Sequence, residues 1–252
     1  MDSYLLALHF AVFAAALLQA ATGIGFGIIA GPIILIVMNS GSAIQVSILL
    51  NLLIALVLAP RLYGLADKAL LVRLLWGTLA GMPLGIIIFT QIDIDMLKLL
   101  AGVAVMFMAL IIMGVLKFKR QGAAPSEERV PADGRVPDLL VGVVSGAMCS
   151  SLAMPGPVVA ARMMALDAAK ETVRATVLVM FVFSYFAALA TQALMVGIST
   201  DSLTLSASLA PATLVGVFVG RYSVAWISQR GFRWILSIIL TITALGLLWS
   251  VV

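Results

Sequence analysis

The chain has 252 residues, of which 63% are hydrophobic and only 10% charged, where a soluble domain carries about 25% charged residues. No soluble core of this length can hide so much apolar side chain, so the composition predicts a polytopic membrane protein. The net charge of +4 then marks cytoplasmic loops, not a nucleic-acid partner. A single cysteine, Cys149, excludes an internal disulfide and a cysteine metal cluster, and a small buried apolar role is expected for it.

Apolar runs follow one another at 4–20, 26–38, 43–59, 69–90, 96–117, 138–153, 158–166, 173–197, 203–226 and 232–252. The opening "MDSYLLALHF" lacks the basic region of a signal peptide, so its apolar run is expected to stay in the protein. A full membrane span needs about 20 apolar residues. The pairs 4–20 with 26–38 and 138–153 with 158–166 fall short of that and are interrupted. The first interruption lies within "QAATGIGFGIIAGP", residues 19–32, and the second is "MPGP", residues 154–157. The polar stretch 118–137, rich in Pro and Gly, reads as a cytoplasmic linker between a first repeat over 1–117 and a second over 138–252.

Gly25 to Ala30 fits the G-x-G-x-x-A spacing of a dinucleotide loop. That fold needs a strand before the glycines and an acidic residue about 20 positions later. Apolar sequence surrounds the match instead, and no Asp or Glu occurs between Asp2 and Asp67. A helix break explains the stretch better. Irregular backbone in a bilayer must be buried in protein or line a wet cavity. The restarting helix aims free N–H groups and the positive end of its dipole at the gap, which suits an anion.

The halves also match in order. Gly31-Pro32 matches Gly156-Pro157 at an offset of 125, Ser47 matches Thr176 at 129, and Gly81, Gly85 and Lys98 match Gly216, Gly220 and Arg233 at 135. Internal duplication is frequent in secondary transporters. Charge decides between two arrangements. Eight plain spans in two parallel repeats leave Lys and Arg divided eight against seven, whereas two re-entrant hairpins with three spans each place fourteen of the fifteen on one side, only Lys98 lying opposite. The expected fold is therefore all-α, with two inverted repeats, each a broken-helix hairpin plus three transmembrane helices. Both termini would be periplasmic and the linker cytoplasmic.

Glycines before a proline near the N-terminus, echoed after a central polar linker, resemble the sulfite exporter TauE/SafE family of membrane transporters over nearly the whole chain. The resemblance implies a bacterial inner-membrane carrier of small sulfur-containing anions, such as sulfite or organosulfonates. It implies no cofactor and no metal, and leaves the exact ligand open.

Several residues are expected to read such a substrate. Arg162 lies five residues after Pro157, and a guanidinium fork suits a sulfonate or carboxylate. Gln19, Thr22, Gly23, Gly25, Gly27, Ser150, Ser151 and Gly156 flank the breaks, with Pro32, Pro155 and Pro157 as helix-breaking residues. Gln45, Ser47, Asn51 and Thr176 follow on adjoining helices. Asp167 and Glu171 are the candidate coupling groups. Glu171 is also placed to pair with Arg174, Arg221 to snorkel, and His9 to join two helices. An anion channel and a non-transporting membrane assembly protein are the alternative functions. With one His, one Cys and no paired intramembrane carboxylates, the chain lacks the groups of an enzyme site.

Overall fold

The computed structural model describes residues 3–23, 25–113, 134–223 and 229–250. All its regular elements are helical: α1 (Ser3–Thr22), α2 (Phe26–Met38), α3 (Ser42–Leu62), α4 (Lys68–Gln91), α5 (Ile94–Met113), α6 (Arg135–Leu152), α7 (Gly156–Ala165), α8 (Lys170–Met195), α9 (Thr200–Ser223) and α10 (Gln229–Trp249). A single 3-10 turn, Tyr63–Leu65, follows α3. Each helix coincides with one of the ten apolar runs to within a few residues. Most of the linker expected over 118–137 falls outside the described residues, and α6 begins at Arg135, within its last turn.

Among the described residues, seven helices are long and apolar enough to cross a membrane. Two of them, α1 and α6, were expected as short hairpin arms, but α1 runs on to Thr22 and α6 starts early, at Arg135. Thr22 and Ser151 bond their hydroxyls back to Leu18 O and Ala147 O, one turn earlier, so polar side chains need no partner outside the helix.

Contacts give the direction of each helix. His9, Phe13 and Leu17 of α1 meet Ser208, Gly216 and Gly220 of α9 in rising order, so the two run parallel. Leu74, Gly81 and Gly85 of α4 likewise meet Gly142, Val143 and Ala147 of α6. In contrast α3 and α8 run antiparallel, Gln45 meeting Gly197 at one end and Asp67, just past α3, meeting Thr176 at the other. The turn after α2 lies beside the turn after α8, around a shared cavity. Thus α2 returns to the face from which α1 set out. Arg162, late in α7, bonds Asp138, early in α6, so α7 also returns to its own starting face, which is the opposite one.

Close approach explains the helix glycines. A Cβ on Gly81 would lie 1.9 Å from Val143 O, and one on Gly216 would lie 2.4 Å from Phe13 O. These are the same contact in α4–α6 and α9–α1, as the offset of 135 suggests. Two helix starts repeat each other as well. Asp67 accepts Leu70 N–H and gives its own N–H to Thr176 Oγ1. Ser199 Oγ accepts Ser202 N–H while its N–H goes to Gln45 Oε1.

Candidate functional site

The two breaks meet inside the bundle. Gly23 stands at φ +86° after α1, and Ala153 at φ +57° after α6. Each gives its N–H to the carbonyl four residues back, Gln19 O and Cys149 O. Left-handed backbone suits glycine, whereas an alanine there costs roughly 1–2 kcal/mol. Tyr185 of α8 holds that alanine by donating its hydroxyl to Ala153 O at 3.0 Å. Gly27 also lies against this carbonyl, where a Cβ would stand 2.7 Å from it. Gly27 is thus required by the second break, not by its own turn.

Around this junction Gln19, Gly25, Gly27, Ile28, Met154, Gly156, Pro157, Phe181 and Tyr185 line a cavity of about 10 Å³. That volume holds at most one water, so the centre is closed. The N-terminal ends of α2 and α7 both border it, since Phe26 and Gly156 are their first residues. The first N–H groups of a helix have no partner within it, and their positive dipole ends here converge on one point. Gln19, buried, caps one of them: its Oε1 accepts Phe26 N–H at 2.8 Å while its amide donates to Asn51 Oδ1 at 3.2 Å. Pro157 has no N–H to offer. Phe181 packs edge-on against Tyr185, 5.2 Å between ring centres.

Of the residues singled out in the sequence, Gln19, Gly25, Gly27, Gly156 and Pro157 come together here, and Gly23 and Pro155 form the adjoining turns. Ser150 points to α4 instead, donating to Met82 O and to Gly146 O. Thr22 and Ser151 bond back along their own helices. Pro32 departs from expectation: it lies inside α2, and the break is made upstream by Gly23 and Gly25. A membrane helix absorbs an interior proline because neighbours satisfy the freed carbonyl, so the match of Gly31-Pro32 with Gly156-Pro157 does not align the two breaks.

Arg162 lies well down α7 from the cavity. Its Nε donates to Asp138 Oδ1 at 2.9 Å, and Arg73 of α4 reaches Asp138 Oδ2 at 2.9 Å. This ties α7 and α4 to the buried start of α6. Asp167 and Glu171 are exposed in and after the turn following α7, on the same face as Arg162. His9 joins α1 to α9, its ring nitrogens facing Leu5 O and Ser208 O. Cys149 is fully buried as a small apolar group.

Four cavity residues were not singled out from the sequence, Ile28, Met154, Phe181 and Tyr185. A tyrosine in mid-span is the one available signal, since its hydroxyl needs a partner when buried. Arg174 was expected to pair with Glu171, yet neither takes part in the ion pairs of Asp138 with Arg73 and Arg162 or of Asp95 with Lys98. Its guanidinium donates to Ala20 O, in the last turn of α1.

A second cavity, about 310 Å³, opens at the face where α2 and α8 end. It is lined by Ser40, Gly41, Ser42, Gln45, Phe89, Val196, Gly197, Ile198 and Ser199.

Comparison with known proteins adds the wider context. The family model described as sulfite exporter TauE/SafE, a family of membrane transporters and not of enzymes, matches residues 8–247. No curated protein and no solved structure matches the chain.

Proposed function

We propose, for a chain that belongs to the sulfite exporter TauE/SafE family, that it moves a small sulfur-containing anion by alternating access around the junction of its two broken helices. The observation that carries this reading is the convergence of the α2 and α7 N-termini on one cavity between the breaks. Opposed half-helices meeting near the midplane are the usual site in repeat-built transporters. The reading takes each half as an inverted repeat, supported by the matching glycine contacts, helix caps and return turns.

The substrate class is sulfite or an organosulfonate, whose oxygens accept from backbone N–H groups at helix ends. The cavity of about 10 Å³ cannot hold such an anion, so binding requires the hairpins to separate. A closed centre favours a carrier over a channel, which needs a continuous path. The larger cavity beyond it would serve as the outer vestibule.

Orientation in the bacterial inner membrane follows from charge. Arg61, Lys68, Arg73, Arg135, Lys170 and Arg221 sit at helix ends on one face, and Lys98 at the other, so the cation-rich face is cytoplasmic. No carboxylate lines the central cavity. An inside-negative potential drives a monovalent anion outward by about 2.3 kcal/mol per 100 mV, so export needs no coupling group in the cavity. For coupled transport, Asp167 and Glu171 would be the groups at the cytoplasmic mouth.

Reconstituted protein on a solid-supported membrane tests the reading. Saturable currents with sulfite or a sulfonate, and none with short carboxylates, are expected. Silence across these anions and sulfate would end the electrogenic sulfur-anion reading. Unitary current steps would replace the carrier by a channel.

A further inference from the structure

The last-turn carbonyls of α1 and α6 occupy matching places. Gly220 touches Leu17 O and the Ala20 side chain, and Gly85 touches Ala147 O and the Ser150 side chain. Both carbonyls are capped from the same helix. Arg174, one turn into α8, donates to Ala20 O, and Gln192, near its other end, donates through Nε2 to Ser150 O at 2.9 Å. The two ends of α8 therefore close the two breaks, one with a cation and one with a neutral amide.

A carbonyl cap does not require a charge, as Gln192 demonstrates. Yet Arg174 is half-buried, belongs to none of the ion pairs among the described residues, and keeps its buried Nε without a hydrogen-bond partner. A desolvated polar group left unpaired is costly, and an intramembrane cation with no counter-charge marks a functional site by default. Its stem packs on the break itself: a Cβ on Gly23 would meet Arg174 Cγ at 2.8 Å. Arg174 thus stands where the turn of the first hairpin opens toward the cation-rich face.

We propose that Arg174 is the charged contact for the transported anion at the first break, its Nε–H and remaining guanidinium donors taking an oxyanion as it passes from the cytoplasmic face to the cavity. The fork suits two oxygens of a sulfite or sulfonate group. The assignment rests on the carrier reading above for its substrate class, but not for its geometry.

Arg174→Gln removes the charge and leaves an amide nitrogen at the place of Nε, two bonds short of the group that caps Ala20 O, so it is read beside Arg174→Lys, which keeps a long donor. Purified wild-type and variant are compared by calorimetric titration with sulfite and methanesulfonate, and by currents in reconstituted membranes. The variant is expected to keep wild-type helical content while its affinity and KM worsen at least about tenfold, the loss of one charge-assisted bond. Arg174→Lys, which keeps the charge without the fork, should fall between. Equal affinity in wild-type and Arg174→Gln would overturn the assignment and leave the carrier intact. Binding lost in the variant, but without current even in wild-type, would retain the contact and remove the carrier. No binding to wild-type would overturn both. If Arg174→Gln does not fold, phenylglyoxal modification of wild-type is mapped by peptide mass. Sulfite should protect Arg174, and modification unaffected by sulfite would overturn the assignment.

Discussion

The two breaks do one geometric job with different chemistry. At the first, glycine permits the left-handed turn at Gly23, and a polar side chain of the same hairpin, Gln19, caps the returning helix. At the second, an alanine is held in that conformation by Tyr185 from α8, and the hairpin is clasped at its base by Arg73, Asp138 and Arg162. At the corresponding helix pair of the first hairpin, His9 bridges to Ser208 O. The turn at Gly23 is therefore one its residue type adopts freely, with Arg174 holding the helix end beside it, whereas the turn at Ala153 is kept in place by Tyr185 and the clasp. In a rocking carrier, the restrained hairpin would be the frame and the glycine-built one the moving part.

The largest effect is expected at the clasp. Asp138→Ala leaves two arginines facing a buried gap, and breaking a buried ion pair costs about 3–5 kcal/mol. Both arginines keep partial exposure, so the lower end of that range applies to chemical or thermal unfolding in detergent. A melting temperature unchanged from wild-type would remove the clasp as a difference between the hairpins. Gly27→Ala comes next. Its methyl would collide with Ala153 O, and overpacking of this kind costs about 1–3 kcal/mol. Transport should fall far more than stability, since the methyl pushes the breaks apart; wild-type flux would refute their apposition.

Tyr185→Phe strands the Ala153 carbonyl at a cost of about 1–3 kcal/mol, again read by melting. Ala153→Gly should act in the opposite sense, relieving roughly 1 kcal/mol of left-handed strain. In the double variant the glycine should recover part of the Tyr185→Phe loss. Independent effects would show that the hydroxyl does not hold the alanine's conformation. Smallest is Lys98→Gln at the opposite face. Lys98 is buried but its partner Asp95 is largely exposed; water screens that carboxylate, so losing the pair should cost about 0–1 kcal/mol.

Composition and order along the chain determined a great deal here. Ten apolar runs became ten helices, because in lipid each backbone N–H must be satisfied within its own segment. The glycine runs placed the first break, and the spacing of Gly81 and Gly85 against Gly216 and Gly220 foretold two equivalent helix contacts. These signals are local or repeat at a fixed distance, so one dimension suffices to see them.

What only tertiary structure decided concerns groups whose partners lie far away in sequence. Arg162 and Arg174 are both cations on the helices that flank one turn, and nothing in their neighbourhoods says that one meets Asp138 while the other caps the carbonyl of Ala20. Ser150 and Gln19 are both polar residues at a break, yet one faces α4 and the other the cavity. Gly27 reads as a glycine of its own loop, although the atom that excludes a side chain there belongs to Ala153. Helix formation in a membrane is written residue by residue. Which side chains converge depends on how helices pack, and that is set by contacts spanning the whole chain.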